Sequence, residues 1–294
     1  MKETVILTDS CSDLGKDLRE KYGIEYVKMN TVIDGNETPA DLDWPAVSPR
    51  EFYDVMRNGK RIYTTQVPPE EFERAFEKYA SEGKDVVYIA CSERLSSSVN
   101  TGAVVARKIM EKYPDVKIYC VNSRNSSQSE GLIAIDAAKM RDAGLSAEEI
   151  KNKVEAGLNE YNMFCTVHSL DALKRAGRVK ASAAFFGNLF GVKPIIISDE
   201  NGDNVPIKKV KGRENSLSEL VNLMKEAIID PEAQTVYVAH ADCEDEAKTV
   251  CENIKKNIPC KDVHIGYIGP IIGASIGPGA IAVFCKGKDV AKED

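Results

Sequence analysis

Four loops at predicted ends of strands or starts of helices are rich in hydroxyl groups. Hydroxyls beside a helix N-terminus bind a carboxylate or a phosphate, because free backbone N–H groups and the positive end of the helix dipole add to the attraction. The same residue types also cap helices and form turns. The loops therefore predict an anion site, with capping as the alternative, and they contain Thr8-Asp9-Ser10, Thr64-Thr65-Gln66, Ser92 with Ser96-Ser97-Ser98, and residues 122–127.

A strongly apolar segment, ASAAFFGNLF, occupies residues 181–190. We predict a helix here, whose Phe185, Phe186 and Leu189 side chains would close a long lipophilic cavity. The alternative is an ordinary core helix, since a helix with many apolar residues is usually buried. Together with the hydroxyl loops, this segment indicates a ligand with a polar head and an apolar body.

Known catalytic patterns fit the sequence poorly. There is no G-x-x-x-x-G-K-[ST] phosphate loop, no G-x-G-x-x-G turn and no G-x-S-x-G elbow. Among the three histidines, His240 is the best placed, because it follows a predicted strand. We therefore predict a protein without catalytic residues. Two alternatives stay open: an enzyme acting on a small phosphorylated or carboxylated metabolite through His240, and an interaction module without a ligand.

The amino-acid composition limits the classes of partner that the protein is expected to bind. The 294 residues include 46 acidic and 39 basic ones, which gives a net charge of −7. A mildly acidic chain is a poor general binder of nucleic acid, because phosphate affinity needs a basic face. Eight cysteines show no C-x-x-C spacing, so neither a zinc site nor another metal cofactor is expected.

The N-terminal sequence MKETVILTDS lacks the apolar stretch of a signal peptide, so we expect a cytoplasmic protein with reduced cysteines. From Gly266 to Cys285 no residue is charged, a length that could span a bilayer. Five glycines and two prolines interrupt this stretch, so we expect no stable membrane insertion and predict a strand, a Gly-rich loop and the strand 280–285.

The elements that position these residues alternate between strand and helix. Apolar runs at 4–7, 85–91 and 116–121 predict strands, and helical patterns follow the last two of them. This alternation predicts an α/β fold with parallel strands. Later, the runs 194–197 and 205–211 flank Asn201-Gly202-Asp203 and predict a hairpin. We place a domain boundary near residue 160, giving domains 1–160 and 161–294.

The ordered motifs resemble the DegV family. Thr8-Asp9-Ser10 with Asp13-Leu14 is similar to its opening T-D-S-x-x-D-L, and Gly277-Pro278-Gly279 matches its closing G-P-G. The matches run from residue 8 to 279 in the order of the family. Between these ends lie Thr64-Thr65-Gln66 (similar to T-S-Q-P), Leu95-Ser96-Ser97-Ser98 (L-S-G-T), Ala176-Gly177-Arg178-Val179 (G-G-R-I) and Val192-Lys193-Pro194 (I-K-P).

This resemblance implies two α/β domains with a ligand cleft and an apolar tunnel between them. It also implies a bound long-chain fatty acid and no other cofactor, and in some family members a role as the binding subunit of a fatty acid kinase. A separate kinase subunit would then phosphorylate the presented carboxylate. By the resemblance, Thr65 and Ser96 would hydrogen-bond the carboxylate, Arg178 would order a loop or meet the partner, and the rest of the site would comprise Asp9, Ser10, Thr64, Ser92, Ser97 and Ser275.

Four positions depart from the family pattern. Ser275 stands where the family often has a histidine, and Asn122 replaces an acidic residue after a strand. Val67 is inserted before Pro68, and Lys211 replaces an arginine. A lysine keeps the charge but lacks the planar fork of arginine, so the last change bears on partner docking. These departures affect the head-group network and the kinase contact more than the binding of an acyl chain.

Overall fold

The computed structural model describes residues 2–169, 171–182, 185 and 191–290. The first part of the described chain comprises β1 (Thr4–Asp9), α1 (Lys16–Tyr22), β2 (Ile24–Val27), β3 (Asn30–Ile33), β4 (Asn36–Pro39), α2 (Pro49–Arg57), β5 (Tyr63–Thr65), α3 (Pro69–Ser81), β6 (Asp85–Ala90), α4 (Ser98–Lys112), β7 (Ile118–Asn122), α5 (Gln128–Asp142) and α6 (Ala147–Ala156). The second comprises β8 (Tyr161–Thr166), α7 (Asp171–Ala176), β9 (Val192–Ser198), β10 (Asn204–Lys211), α8 (Arg213–Ala227), β11 (Thr235–His240), α9 (Glu244–Asn257), β12 (Asp262–Tyr267), α10 (Pro270–Ile276) and β13 (Ile281–Lys286).

The first sheet is parallel, in the order β2-β1-β6-β7. All six residues of β1 are buried. Since parallel strands end at the same edge, the loops that follow β1, β6 and β7 meet there. This arrangement confirms the α/β prediction and brings three of the four hydroxyl-rich loops together.

The second sheet is mixed, in the order β10-β9-β8-β13-β11-β12. Only β11 and β12 run parallel within it. The expectation of parallel strands is therefore wrong for this sheet, because its consecutive strands β8, β9 and β10 are joined as antiparallel neighbours. The predicted hairpin is confirmed, with Asn204 opposite Ser198 and Lys211 opposite Val192.

A small antiparallel sheet, in the order β4-β3-β5, carries the Thr64-Thr65 segment. The sequence did not predict it. Its strands are three or four residues long, and every residue of β4 is exposed, so no alternation of apolar and polar residues marks them. Pairing with β3, in which Asn30 lies opposite Thr65, fixes the position of the threonines.

The predicted Gly-rich loop before the last strand contains a helix, α10, which corrects the loop prediction. Pro270 begins this helix, where its missing N–H costs no hydrogen bond. Gly273 permits a close approach to Tyr53, since a Cβ at this position would lie 2.4 Å from the tyrosine hydroxyl oxygen. The glycine that suggested a loop thus serves helix packing.

The chain passes from one main sheet to the other between Glu160 and Tyr161. Apolar residues of both sheets nevertheless share one core cluster, which includes Ile6 of β1 and Phe284 of β13. Tyr53 of α2 also donates a hydrogen bond to the Ile268 carbonyl oxygen across 2.7 Å. The division into domains 1–160 and 161–294 stays a prediction.

Candidate functional site

A cavity of about 290 Å³ lies between the strand-end loops of the first sheet and elements of the second half. Its lining combines exposed polar residues with buried apolar ones. The lining residues form two groups by chemistry. The polar group, which we call the mouth, comprises Thr64, Thr65, Ser96, Ser97, Arg178 and Ser275, and the apolar group, which we call the apolar wall, comprises Met163, Cys165, Ile196, Ile272, Ile276 and Ala282.

The mouth unites six of the residues predicted for the site. Thr65, Ser97 and Arg178 are exposed, so this side opens to solvent. They come from β5, from the loop before α4 and from the segment after α7. Residues far apart in sequence are therefore placed around one opening, while their contact with a ligand stays a prediction.

Ser98 holds two parts of the mouth together. Its Oγ accepts a hydrogen bond from the Val67 N–H at 3.1 Å, and it lies 3.0 Å from the Oγ of Ser96. Val67 itself is fully buried, so the inserted residue forms part of the packing. Ser98 therefore has a structural role, whereas Ser96 lines the cavity.

Thr65 interacts with an acidic neighbour at the mouth. Its Oγ1 donates a hydrogen bond to Oε1 of Glu37, 2.8 Å away. This bond and one from the side chain of Asn30 lower the pKa of Glu37. A ligand carboxylate that binds Thr65 would therefore compete with a charged carboxylate of the protein.

Arg178 orders the segment after α7. Its Nη1 donates to the Ala176 carbonyl oxygen at 2.7 Å, and its Nε donates to the Leu95 carbonyl oxygen at 3.3 Å. The second bond ties the segment to the loop that carries Ser96. These contacts agree with the expected loop-ordering role, although the role in ligand or partner binding stays a prediction.

Asp9, Ser10 and Ser92 are buried and do not line the cavity. Asp9 accepts hydrogen bonds from the N–H groups of Cys11 and Cys91, both of which line the cavity. Burial raises the pKa of Asp9, although these hydrogen bonds oppose the shift. Asp9 therefore shapes the cavity floor through its neighbours.

Ser10 and Ser92 are engaged with backbone groups. Ser10 Oγ donates to the Ala40 carbonyl oxygen at 2.8 Å and accepts from the Met29 N–H at 3.1 Å. Ser92 Oγ donates to the Gly202 carbonyl oxygen at 2.8 Å, which joins the β9–β10 turn to the first sheet. Both hydroxyls thus position the backbone around the cavity.

Ser126 and Ser127 also line the cavity, although the sequence pointed only to their loop and not to them individually. Asp13 accepts a hydrogen bond from Ser127 Oγ at 2.6 Å and another from the Gly269 N–H at 2.9 Å. Gly269 is the N-cap of α10, so one carboxyl links the first half to this cavity-lining helix. Burial raises the pKa of Asp13 to about 7.

The residues of the apolar wall do not belong to the 181–190 segment, from which the sequence predicted a lipophilic cavity. Met163 and Cys165 lie on β8, and Ile272 and Ile276 lie on α10. Phe185 lines a separate groove, where the Lys209 Nζ lies 4.5 Å from its ring centroid. Phe186 and Leu189, with most of the predicted 181–190 helix, lie outside the described residues.

Cys11 and Cys165 line the cavity, and their thiols are held in the neutral form. A hydrogen bond with Cys91, followed by burial, raises the pKa of Cys11 well above its ordinary value. Burial raises the pKa of Cys165 to about 12. Since the thiolate is the nucleophile, these side chains act at neutral pH as small apolar groups.

His240 ends β11 and does not line the cavity. Its Nδ1 accepts a hydrogen bond from the Cys243 N–H at 3.3 Å, and its ring packs on Tyr267 with centroids 4.5 Å apart. Burial lowers its pKa. These contacts give it a local packing role.

Within the described ranges, no group of three or more His, Cys, Asp or Glu side chains is arranged to hold a metal ion. Among the helices of that same part of the chain, none is long and apolar enough to cross a membrane.

Comparison with known proteins gives consistent matches over the chain. A family model described as DegV, an uncharacterised protein family, matches residues 3–288. A DegV domain-containing protein of Clostridium perfringens is 37% identical over 287 residues, covering 98% of each protein.

Solved structures match as well. DegV from Bacillus subtilis, described as a fatty acid binding protein, is 25% identical with a TM-score of 0.85, over 98% of this chain and 100% of that one. A stearic acid-binding protein from Eubacterium ventriosum is 25% identical with a TM-score of 0.83, over 97% of this chain and 99% of that one.

Proposed function

The chain belongs to the DegV family, and from this premise we propose that it binds a long-chain fatty acid. The carboxylate would lie at the mouth, and the acyl chain would lie along the apolar wall. The observation that carries the proposal is the union of these two surfaces in one cavity. The fatty acid and stearic acid binding described for the two solved relatives supports it.

The chemistry of the mouth suits a carboxylate. Ser96 and Thr65 supply hydroxyl donors, and hydrogen bonds to an ionised acceptor are stronger than neutral ones. Arg178 adds a positive charge at the solvent-exposed side. A carboxylate would thus be held without a fully buried cation, so the head group would stay accessible.

The apolar wall would supply most of the affinity. Each CH₂ group transferred from water contributes about 0.8 kcal/mol. A chain of roughly sixteen carbons would gain on the order of 12 kcal/mol before the costs of ordering and association. Affinity in the micromolar range or tighter is the expectation.

A head group that stayed accessible to solvent would suit a carrier role. We propose that the protein has no catalytic group of its own and presents the carboxylate to a separate kinase subunit, which forms an acyl phosphate. The neutral thiols and the position of His240 away from the cavity fit this role. The kinase subunit is proposed as the partner because of the family resemblance. Lys211 stands where the family has an arginine, so a change in partner docking would be expected at this residue.

The binding proposal is tested by alanine substitution at the mouth. Ser96→Ala and Thr65→Ala should each weaken stearic acid binding by about 1.5–3 kcal/mol, the range for a hydrogen bond to a charged group. Isothermal titration with lipid-free protein measures the affinity. Ser218→Ala, on the exposed face of α8, is the matched control and should bind like the wild type.

Extraction of the purified protein and mass spectrometry of the lipid fraction should identify a stoichiometric fatty acid. Protein that stays without lipid, and shows no titration heat with stearic acid, would overturn the proposal. Unchanged affinity in both alanine variants would instead show that other groups hold the carboxylate.

A further inference from the structure

Three sulfur-containing side chains, those of Cys11, Met29 and Cys91, line the cavity, and we call them the sulfur cluster. Met29 follows β2, Cys11 follows β1 and Cys91 follows β6. These strands are neighbours in the parallel sheet, in the order β2-β1-β6, so their carboxyl ends bring the three residues side by side. Positions 11, 29 and 91 show no metal-ligand spacing, so the sequence alone did not reveal the cluster.

Cys11, on the middle strand, contacts both other members of the cluster. Its thiol donates a hydrogen bond to the Met29 Sδ across 3.5 Å, and it also forms a hydrogen bond with the Cys91 side chain. Metal–sulfur bonds of about 2.3 Å, the length in zinc–thiolate sites, place two sulfur ligands of one ion about 4 Å apart. The Cys11 and Met29 sulfur atoms are therefore close to the separation that a shared ion requires.

Neighbouring groups hold the backbone of all three residues. Asp9 accepts hydrogen bonds from the N–H groups of Cys11 and Cys91, at 2.9 and 3.1 Å. The Met29 N–H donates to Ser10 Oγ at 3.1 Å. Ligands whose positions are fixed in this way lose less conformational entropy when an ion binds.

The sulfur cluster is buried, yet it lies on a cavity whose mouth reaches solvent. Each of its three residues is at most 2% exposed. The carboxyl groups of Asp9 and Glu130 add to the rise in the pKa of Cys11, so these surroundings favour a cation over a further anion. The described lining of the cavity contains no histidine, and its one basic side chain is that of Arg178. Sulfur is therefore the metal ligand that this part of the cavity offers.

We propose that the sulfur cluster binds one Cu(I) ion. Thiolate and thioether sulfur atoms are soft ligands that select Cu(I), whereas zinc is usually held by four cysteine, histidine or carboxylate groups. On binding, a thiol S–H bond breaks as the S–Cu bond forms, and the proton leaves to solvent. The cation offsets the negative charge of a thiolate, which burial alone would disfavour. The site needs no bound fatty acid, so its failure would leave the proposed function untouched.

The experiment is a competition for Cu(I) between lipid-free protein and the colorimetric chelator bicinchoninate, without oxygen and with ascorbate as reductant. The wild type should withdraw one Cu(I) per chain from the chelator. Cys11→Ser, Cys91→Ser and Met29→Leu should each weaken binding more than ~10-fold, because even groups that only orient a metal ligand contribute that much. Met29→Leu keeps the apolar volume, so it remains informative if a cysteine variant does not fold.

Cys251→Ser, at a partly buried cysteine on α9 that does not line the cavity, is the matched control and should bind Cu(I) like the wild type. Loss of affinity confined to the cluster variants, with sulfur as the only ligand in X-ray absorption of the wild-type complex, would support the site. A wild type that fails to compete with the chelator would overturn it. Unchanged affinity in any cluster variant, or an equal loss in Cys251→Ser, would overturn it as well, because other thiols would then hold the ion.

Discussion

The two halves of the molecule contribute different chemistry to one cavity. The parallel sheet of the first half ends in loops whose Ser96, Ser97, Ser126 and Ser127 side chains line the cavity. The mixed sheet of the second half contributes buried apolar residues such as Met163, Ile196 and Ala282. Loops at the end of a parallel sheet tolerate polar residues, whereas the face of a sheet that packs against another layer requires apolar ones. The site therefore depends on how the halves are joined.

The largest expected effect concerns Asp13, the buried carboxyl that joins the two halves. Its pKa is raised from 3.8 to about 7 by burial. The folded state thus binds more protons than the unfolded state between these values, so stability should fall as pH rises from about 4 to 7 and level off above. The loss amounts to on the order of 4 kcal/mol, since one pKa unit corresponds to ~1.4 kcal/mol.

Asp13→Asn should remove this component of the pH dependence. Asparagine tolerates the left-handed backbone that Asp13 adopts at φ 51°. Urea denaturation over a pH series compares the variant with wild type and with Asp17→Asn, an exposed control on α1. Coincident pH profiles for wild type and Asp13→Asn would contradict the raised pKa.

A charged side chain in the apolar wall should weaken the binding of the acyl chain, which the second half of the molecule is proposed to contact. Ile276→Asp places an unpaired carboxylate beside the proposed acyl chain, which is costly in an apolar environment. Stearic acid affinity should fall at least ~100-fold, corresponding to about 3 kcal/mol. Ile229→Asp, at a side chain that is 42% exposed, should leave the affinity unchanged. Equal affinities in the two variants would place the acyl chain elsewhere.

The smallest expected effect concerns the negative charge of Glu37 beside Thr65 at the mouth. Glu37→Gln removes the charge that competes for the Thr65 hydroxyl. Fatty acid affinity should increase about two- to fivefold, a small change because the carboxylate is exposed to solvent. The gain should shrink at high salt, which screens exposed charges. Titrations at low and high ionic strength measure it, and a weaker affinity in the variant would mean that Glu37 supports binding.

The sequence predicted the main elements where patterns were strong. The predicted strands 4–7 and 85–91 correspond to β1 and β6, and the predicted hairpin corresponds to β9 and β10. It failed where tertiary contacts override local signals. Gly273 suggested a loop because glycine disfavours helices, yet packing against Tyr53 stabilises helix α10 around it.

Residue type and loop position selected Thr64, Thr65, Ser96 and Ser97, which line the cavity. The same signal also selected Ser10 and Ser92, which do not line it. The apolar wall could not be selected in this way, because Met163, Ile196 and Ala282 look like any other core residues on a strand. Only the tertiary structure decided which core residues face a cavity and which are packed, since that depends on the gap left between two layers.

The same distinction applies to the charges. The sequence contains Arg61, Arg175 and Arg178 among many other basic residues, and nothing local marks them as a group. One small pocket is lined by Arg61 before β5, by Arg175 in α7 and by Arg178 after it, and no ion pair among the described residues involves these arginines. Local sequence thus determined which side chains can bind an anion. The tertiary structure decided which of them act together, because electrostatic attraction depends on distance in space and not on separation along the chain.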